Sequence, residues 1–111
     1  MLNMFIAGSN VATLDQLLDH VDHFVRLLGA EHVGLGPDCM EQWPVDVYKT
    51  LWTGTEAQSL QLHYPAEFDS LAKMLNVTRG LVVRGHDDAA IRGILGDNML
   101  RVFSQVLGDS A

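Results

Sequence analysis

Apolar residues recur every three or four positions between residues 13 and 28, and this spacing predicts an amphipathic helix. The apolar stripe consists of Leu14, Leu17, Leu18, Val21, Phe24, Val25 and Leu28. Thr13 stands before the stripe with Gln16 three residues after it, which is the pattern of a capping box. Gly29 then provides a residue that can end the helix in a left-handed conformation. We therefore expect a helix over residues 13–28.

Two short apolar segments flank this helix and have the pattern of buried strands. Residues 1–7, MLNMFIA, are apolar almost throughout, and the polar GSN sequence then interrupts the run. Residues 32–36, HVGLG, alternate apolar residues with glycine. A strand, a helix and a second strand form a βαβ pattern, which implies parallel strands joined by a helical crossover.

The middle of the chain, residues 37–75, has no sustained hydrophobic period. All three prolines of the chain fall in this segment. We expect a long loop here, with one short helical turn near residues 45–51. Loops of this length in compact proteins are usually functional or mobile.

Two further helices are predicted near the end of the chain. The first covers residues 76–84, with Asn76 as its cap and Gly85 as its stop. The second covers residues 88–107 and carries another apolar stripe, which ends before Gly108.

The composition indicates one folded domain and narrows the classes of function. At 111 residues, with 48% hydrophobic and 19% charged residues, the chain has the balance of a folded soluble protein. The net charge is −7 and the seven Lys and Arg residues are scattered, which argues against nucleic-acid binding. No apolar run approaches the ~20 residues of a transmembrane helix, and no signal-peptide pattern is visible. The single cysteine excludes an internal disulfide and slightly favours the cytoplasm, although localisation stays open.

The segment NVTRGLVVRGHDDAAIRGILGDNMLRVF, residues 76–103, carries the most specific pattern in the chain. It resembles N-L-T-x-x-L-x-x-R-G-Y-S-x-x-x-I-x-x-I-L-G-x-N-x-L-R-V-F, a pattern of the membrane dipeptidase (renal dipeptidase) family of zinc peptidases. The first strand, the first helix and the stretch EHVGLGPD are similar to the same family. The residues of the last segment that match are Asn76, Thr78, Arg84, Gly85, Ile91, Ile94, Leu95, Gly96, Asn98, Leu100, Arg101, Val102 and Phe103.

This resemblance implies a fold as well as a family. The family fold is a (β/α)₈ TIM barrel, which typically needs ~250 residues. The fold class expected for this chain is therefore α/β: a C-terminal fragment of a TIM barrel, with its last two strands, outer helices and closing helices. Residue 1 would then fall inside a barrel strand, so we expect either a fragment or a truncated gene.

Asp38 is the strongest candidate for a catalytic residue. It directly follows the predicted strand 32–36 and Pro37, and a carboxylate just past such a strand lies on the active-site face of a barrel. The resemblance implies that it takes the proton of a metal-bound water and passes it to the departing amine. The alternative is an aspartate that ends a strand by accepting backbone N–H bonds. The motif departs from the family at Pro37, Cys39 and Met40–Glu41.

The resemblance implies two zinc ions in the full-length family, but it assigns no zinc ligand in this chain. The segment DHVDH, residues 19–23, invites a metal site, but it lies opposite the apolar stripe and is interpreted as a solvated helix face. Asn98 and Arg101 are expected to anchor neighbouring backbone by hydrogen bonds. The residues interpreted as structural or solvent-facing are His32, His63, His86 and Cys39.

The leading hypothesis is a zinc-dependent dipeptidase that hydrolyses dipeptides, represented by a fragment that lacks the metal ligands and is inactive alone. Whether the chain is itself an enzyme is left open. The alternative is a non-catalytic remnant that associates with itself through exposed strand edges. A third possibility, a metal-binding module built on residues 19–23, would require zinc binding that His20→Ala abolishes.

Overall fold

The computed structural model describes residues 12–37 and 65–108. Within these two ranges 77% of the residues are helical, and neither range contains a strand. The predicted α/β fold, a C-terminal fragment of a TIM barrel, is therefore wrong. The predicted strand 1–7 and most of the predicted loop, with its helical turn at 45–51, lie outside the described residues.

The described residues fold into helices, which are joined by short turns within residues 65–108. The α-helices are α1 (Leu14–Leu28), α2 (Met74–Val83), α3 (Asp88–Arg92) and α4 (Asn98–Leu107). A π-helical segment, Gly93–Asp97, joins α3 to α4. The 3₁₀ turns are Ala30–His32, Ala66–Phe68 and Leu71–Lys73.

The first predicted helix is confirmed together with its capping box. The backbone N–H of Gln16 donates to the hydroxyl of Thr13 over 3.2 Å. In return, the N–H of Thr13 donates to Gln16 Oε1 over 3.0 Å. The two bonds satisfy donors that the first turn of a helix leaves free, and Gly29 ends α1 at a φ of 88°.

The later helices differ from their predictions at the boundaries. α2 starts at Met74, so Asn76 lies inside the first turn instead of capping it. Its side-chain Nδ2 donates to the carbonyl of Glu67 over 2.8 Å. The helix predicted over 88–107 begins at Asp88, capped by Asp87, whose Oδ1 accepts from the N–H of Ala90 over 2.8 Å. It is not continuous, because the backbone kinks at Gly96, which has a φ of 179° and a ψ of −37° inside the π-helical segment.

A hydrophobic core lies where α1, α2 and the α3 region meet. Its buried members are Leu17, Leu18, Val21, Val33, Phe68, Val77, Leu81, Ile91 and Ile94. α1 and α2 approach closely at Gly80, where a Cβ atom would overlap Leu18 Cδ1. Burying side chains of this size contributes roughly 1.5–3 kcal/mol each, so the core supplies most of the stabilisation.

The segment predicted as a second strand, residues 32–36, does not form one. Val33 is extended and buried, and Leu35 packs against the same core, so the alternating pattern does place alternate side chains inward. Leu35 makes an isolated β-bridge, but residues 32–37 contain no strand. Among the described residues, the partners of this backbone are helical: the N–H of Leu35 donates to the carbonyl of Ile94 over 3.3 Å, and the carbonyl of Val33 accepts from Asn98. These bonds satisfy groups that a neighbouring strand would satisfy in a sheet.

Candidate functional site

Asp38, the predicted catalytic residue, lies outside the described residues, as do Cys39 and His63. What the structure describes is the segment that leads to it. Residues 30–37 pass along the α3–α4 region and end one residue before Asp38.

Among the described residues, the side chains that donate to the backbone of this segment come from α4. Asn98 Nδ2 donates to the carbonyl of Ala30 over 2.7 Å and to the carbonyl of Val33 over 2.8 Å. Arg101 donates to the carbonyl of Glu31 over 2.7 Å. We call Asn98 and Arg101, with the three carbonyls that they bind, the amide anchor. The prediction that both residues anchor neighbouring backbone is confirmed.

The π-helical segment positions Asn98 for these bonds. The N–H of Asn98 donates to the carbonyl of Gly93, five residues back, which is the π-helical register. The Asn98 side chain lies over Gly93, where a Cβ atom would come within 3.0 Å of Asn98 Oδ1. A glycine at position 93 therefore leaves room for the amide to reach the segment.

Van der Waals contacts also hold residues 30–37 in place. A Cβ atom at Gly34 would lie 3.3 Å from Met99 Cγ, so the backbone of the segment lies close to the first turn of α4. Val33 on one side is 4% exposed and belongs to the core. The segment is thus held both by its side chains and by its backbone.

A second polar cluster joins α1 to the end of α2. Arg84 donates to Asp22 Oδ2 over 2.6 Å and to Asp19 Oδ1 over 2.7 Å, and it reaches Asp15 Oδ1 over 3.3 Å. His86 Nε2 lies 2.8 Å from Asp22 Oδ1. We call these five residues the charged junction.

The geometry of α1 explains why one arginine meets three carboxylates. Positions 15, 19 and 22 follow one another at spacings of four and three, so they share a helix face. Asp22 is partly buried, so the interpretation of residues 19–23 as a solvated face was wrong for that residue, whereas Asp19 is exposed although it also binds Arg84. His86 lies against Asp22, which is in keeping with a structural role. His20 and His23 are exposed.

The junction favours the charged forms of Asp22 and Arg84. Burial alone would raise the pKa of Asp22, but hydrogen bonds from Arg84 and His86 outweigh it and hold the pKa below its ordinary range. Burial alone would lower the pKa of Arg84, but its bonds to Asp22, Asp19 and Asp15 raise it instead. Arg84 therefore acts as a cation bound to several carboxylates.

Comparison with known proteins shows which family this chain resembles. A family model described as membrane dipeptidase (Peptidase family M19) matches residues 1–50. A curated relative, an uncharacterized dipeptidase from Schizosaccharomyces pombe, is 30% identical over 98 residues, which cover 88% of this chain. The chain belongs to the membrane dipeptidase family. The matched region spans 19% of that relative's length. No solved structure matches the chain.

The membrane dipeptidases are a family of zinc metallopeptidases, which raises the question of whether the described residues can bind a metal ion. Over residues 12–37 and 65–108, no group of three or more His, Cys, Asp or Glu side chains has the geometry to hold an ion. The carboxylates that do converge, on Arg84, already bind a cation. The described part of this family member therefore does not fit zinc, and the module proposed for residues 19–23 is not supported.

No helix in the described ranges of this dipeptidase family member is long and apolar enough to cross a membrane.

Proposed function

We propose that the protein takes part in the zinc-dependent hydrolysis of dipeptides, with Asp38 as a catalytic residue. The match of the family model to residues 1–50 carries this proposal, because that span includes Asp38. The relative from Schizosaccharomyces pombe, itself described as a dipeptidase, supports the same reaction.

We propose further that these 111 residues contribute to an active site and do not form one alone. The support is the share of the relative that they match, 19% of its length. The described residues also supply no group that fits zinc. In this proposal the metal ligands come from outside the described residues.

The role proposed for Asp38 is proton transfer. Hydrolysis forms a bond between the water oxygen and the peptide carbonyl carbon, and it breaks the C–N bond. The water proton must leave and the amine nitrogen must gain one. A carboxylate that takes the first proton and donates it to the nitrogen balances both steps, and such a group is worth about 10²- to 10⁴-fold in rate.

Two measurements test the proposal. The purified 111-residue protein with added zinc should release no amino acids from dipeptides, and turnover at an ordinary enzymatic rate would contradict the claim that it is insufficient alone.

The second measurement uses a family dipeptidase of known activity. This chain should replace the segment that it matches there, as it matches 98 residues of the relative above, and the hybrid should retain hydrolysis. Asp38→Asn should then lower kcat by at least about 100-fold. The matched control is Asp88→Asn, the same change at an exposed carboxylate.

A second candidate function is that of a non-catalytic protein that associates with itself. The observation in its favour is α4, none of whose ten residues is buried. Its exposed apolar residues are Leu100, Val102, Phe103, Val106 and Leu107. The only charged residue of α4 is Arg101, and its side chain is bound to the carbonyl of Glu31, so the exposed apolar residues form a face with little charge. The strand edges expected to mediate association have no counterpart in residues 12–37 and 65–108.

Light scattering after size-exclusion chromatography discriminates this candidate. A dimer that becomes a monomer on Phe103→Gln would support it, whereas a monomer at all concentrations would exclude it. The matched control is Leu71→Gln, at a residue of comparable exposure, 54% against 52% for Phe103, in a 3₁₀ turn away from α4.

A further inference from the structure

The polar side of α4 faces the rest of the described protein. Asn98, Arg101 and Gln105 follow one another at spacings of three and four, so they share one side of the helix. From that side, Asn98 and Arg101 bind three backbone carbonyls of residues 30–33. An amphipathic helix of a globular protein usually turns its apolar side inward, and α4 reverses this arrangement.

The opposite side of α4 is apolar and exposed. Leu100, Phe103 and Leu107 are spaced three and four residues apart, and their side chains are 63%, 52% and 70% exposed. Val102 and Val106 flank them and are also exposed. We call these five residues the apolar side of α4. Such a stripe is typical of a helix that packs against another apolar surface.

We propose that the apolar side of α4 packs against the same side of α4 in a second copy of the chain, with the two helices antiparallel and the two Phe103 side chains at the two-fold axis. Leu100 of each copy then lies against Leu107 of the other. The pairing rests on the second candidate function, self-association, and gives it an interface and an orientation. In a two-fold pair both copies use the same patch, so a face with little charge needs no oppositely charged partner.

The exposed area of the apolar side fits a weak dimer. A specific interface buries at least about 1,000 Å² in total, or about 500 Å² from each copy. An aromatic side chain alone can bury about 150–250 Å². One phenylalanine together with four leucines and valines, each more than one-third exposed, therefore reaches this lower limit without greatly exceeding it. We expect a dimer that dissociates on dilution.

Two electrostatic effects favour the antiparallel orientation. Antiparallel helices bring the N-terminal end of each α4 near the C-terminal end of the other, so that their dipoles attract, whereas parallel helices place like ends together. Each copy also carries a net charge of −7, and α4 binds the rest of its own copy through residues 98–101, at the start of the helix. Antiparallel pairing puts these two attachment points at opposite ends of the interface, which separates the negative charges.

Disulfide cross-linking tests the orientation in the full 111-residue protein. Every variant carries Cys39→Ser, which removes the only native cysteine, and one new cysteine. An equimolar mixture of Leu100→Cys and Leu107→Cys should cross-link at least about tenfold faster than either variant alone, because a disulfide needs Cα atoms within about 7 Å. The matched control is Gln105→Cys on the polar side of the same helix, which should cross-link with neither variant.

Three outcomes would overturn the proposal. Faster cross-linking of Leu100→Cys with itself than with Leu107→Cys would show a parallel pair. A dimer in light scattering whose mixed cysteines do not cross-link would place the interface on another surface, and self-association would then stand without α4. A monomer at every concentration would exclude both the pairing and the second candidate function.

The dissociation constant of the dimer provides a test that needs no new cysteine. Phe103→Gln should raise it at least about tenfold, because a central aromatic side chain carries much of the binding energy of an interface. Gln105→Ala, on the polar side, should leave it unchanged. Equal dissociation constants for the two variants would contradict an interface centred on Phe103.

Discussion

The charged junction and the amide anchor both join parts of the chain more than 60 residues apart, but they do so with different chemistry. In the junction, Arg84 binds three side-chain carboxylates on the face of α1 and also the backbone carbonyl of Asp15, over 3.0 Å. In the anchor, the partners of Asn98 and Arg101 among the described residues are backbone carbonyls. The first contact selects which helix faces meet, and the second fixes where the main chain runs.

This difference determines how each region responds to its surroundings. Ion pairs weaken with added salt and with protonation of the carboxylates. The bonds from the neutral amide of Asn98 to carbonyls involve no titratable group. Acid and salt should therefore lower the stability that the junction contributes and leave that of the Asn98 bonds nearly unchanged, whereas substitutions affect both regions.

The largest expected effect comes from Arg84→Met. The change leaves Asp22, whose side chain is 22% exposed, without its cation and next to two other carboxylates. Removing one partner of a half-buried pair should lower the free energy of unfolding by about 2 kcal/mol, below the 3–5 kcal/mol of fully buried pairs. Urea denaturation measures the loss.

The matched control is Arg101→Met, which removes one bond to a backbone carbonyl. It should cost about 1 kcal/mol. An equal cost for both arginines would show that the three carboxylates add nothing to what one carbonyl provides.

The next effect concerns the helix crossing beneath the junction. Gly80→Ala favours the helix by ~1 kcal/mol, but the new methyl group would overlap Leu18, which is 2% exposed and has no room to move away. Overpacking of this kind costs about 1–3 kcal/mol, so we expect a net loss of up to about 2 kcal/mol. The control Val82→Ala, at a side chain that is 59% exposed on the same helix, should be near neutral. A stabilised Gly80→Ala variant would show that the helices can separate freely.

Acid should weaken the junction and spare the anchor. The folded-state pKa of Asp22 lies below its unfolded value, so its stabilising contribution is present above the unfolded pKa of about 3.9. That contribution is lost as the pH falls through the folded value. Asp22 faces Arg84 and His86, and Asp15 and Asp19 share the same arginine.

Unfolding measured between pH 6 and pH 2 tests this sign. Asp22→Asn should flatten the acid side of the stability profile, because the titrating group is gone. Asn98→Ala should lower the whole profile without changing its shape. A profile that keeps its slope in Asp22→Asn would place the acid sensitivity elsewhere.

Local signals in the sequence predicted the parts of the fold that depend on neighbours along the chain. Thr13 and Gln16 predicted the capping box of α1, and Gly85 and Gly108 mark helix ends in left-handed conformations. The bonding of Asn98 to backbone was also predictable, because a polar amide on an apolar stripe needs a partner.

Contacts set by the tertiary fold could not be predicted in the same way. Alternation over residues 32–36 indicated an extended segment, but it did not reveal the bonds of its backbone to Ile94 and Asn98. The kink at Gly96 interrupts the predicted helix 88–107, and a single glycine inside a helical pattern does not by itself predict a break. Arg84 meets α1 only because two helices cross. The place of Asp38 stays a prediction, since it lies outside the described residues.

The smallest effect on stability is expected for a substitution on the exposed face of α4, the helix that carries the two side chains of the amide anchor. Val106→Thr replaces a side chain that is 75% exposed, so the free energy of unfolding should change by less than about 0.5 kcal/mol. The same substitution at the fully buried Val77 puts a hydroxyl into the core and should cost about 1–3 kcal/mol. Thermal denaturation at low protein concentration measures both. If Val106→Thr lowered the free energy of unfolding as much as Val77→Thr does, another surface would have to cover α4. If that surface belongs to a second copy of the chain, the loss caused by Val106→Thr should increase with protein concentration.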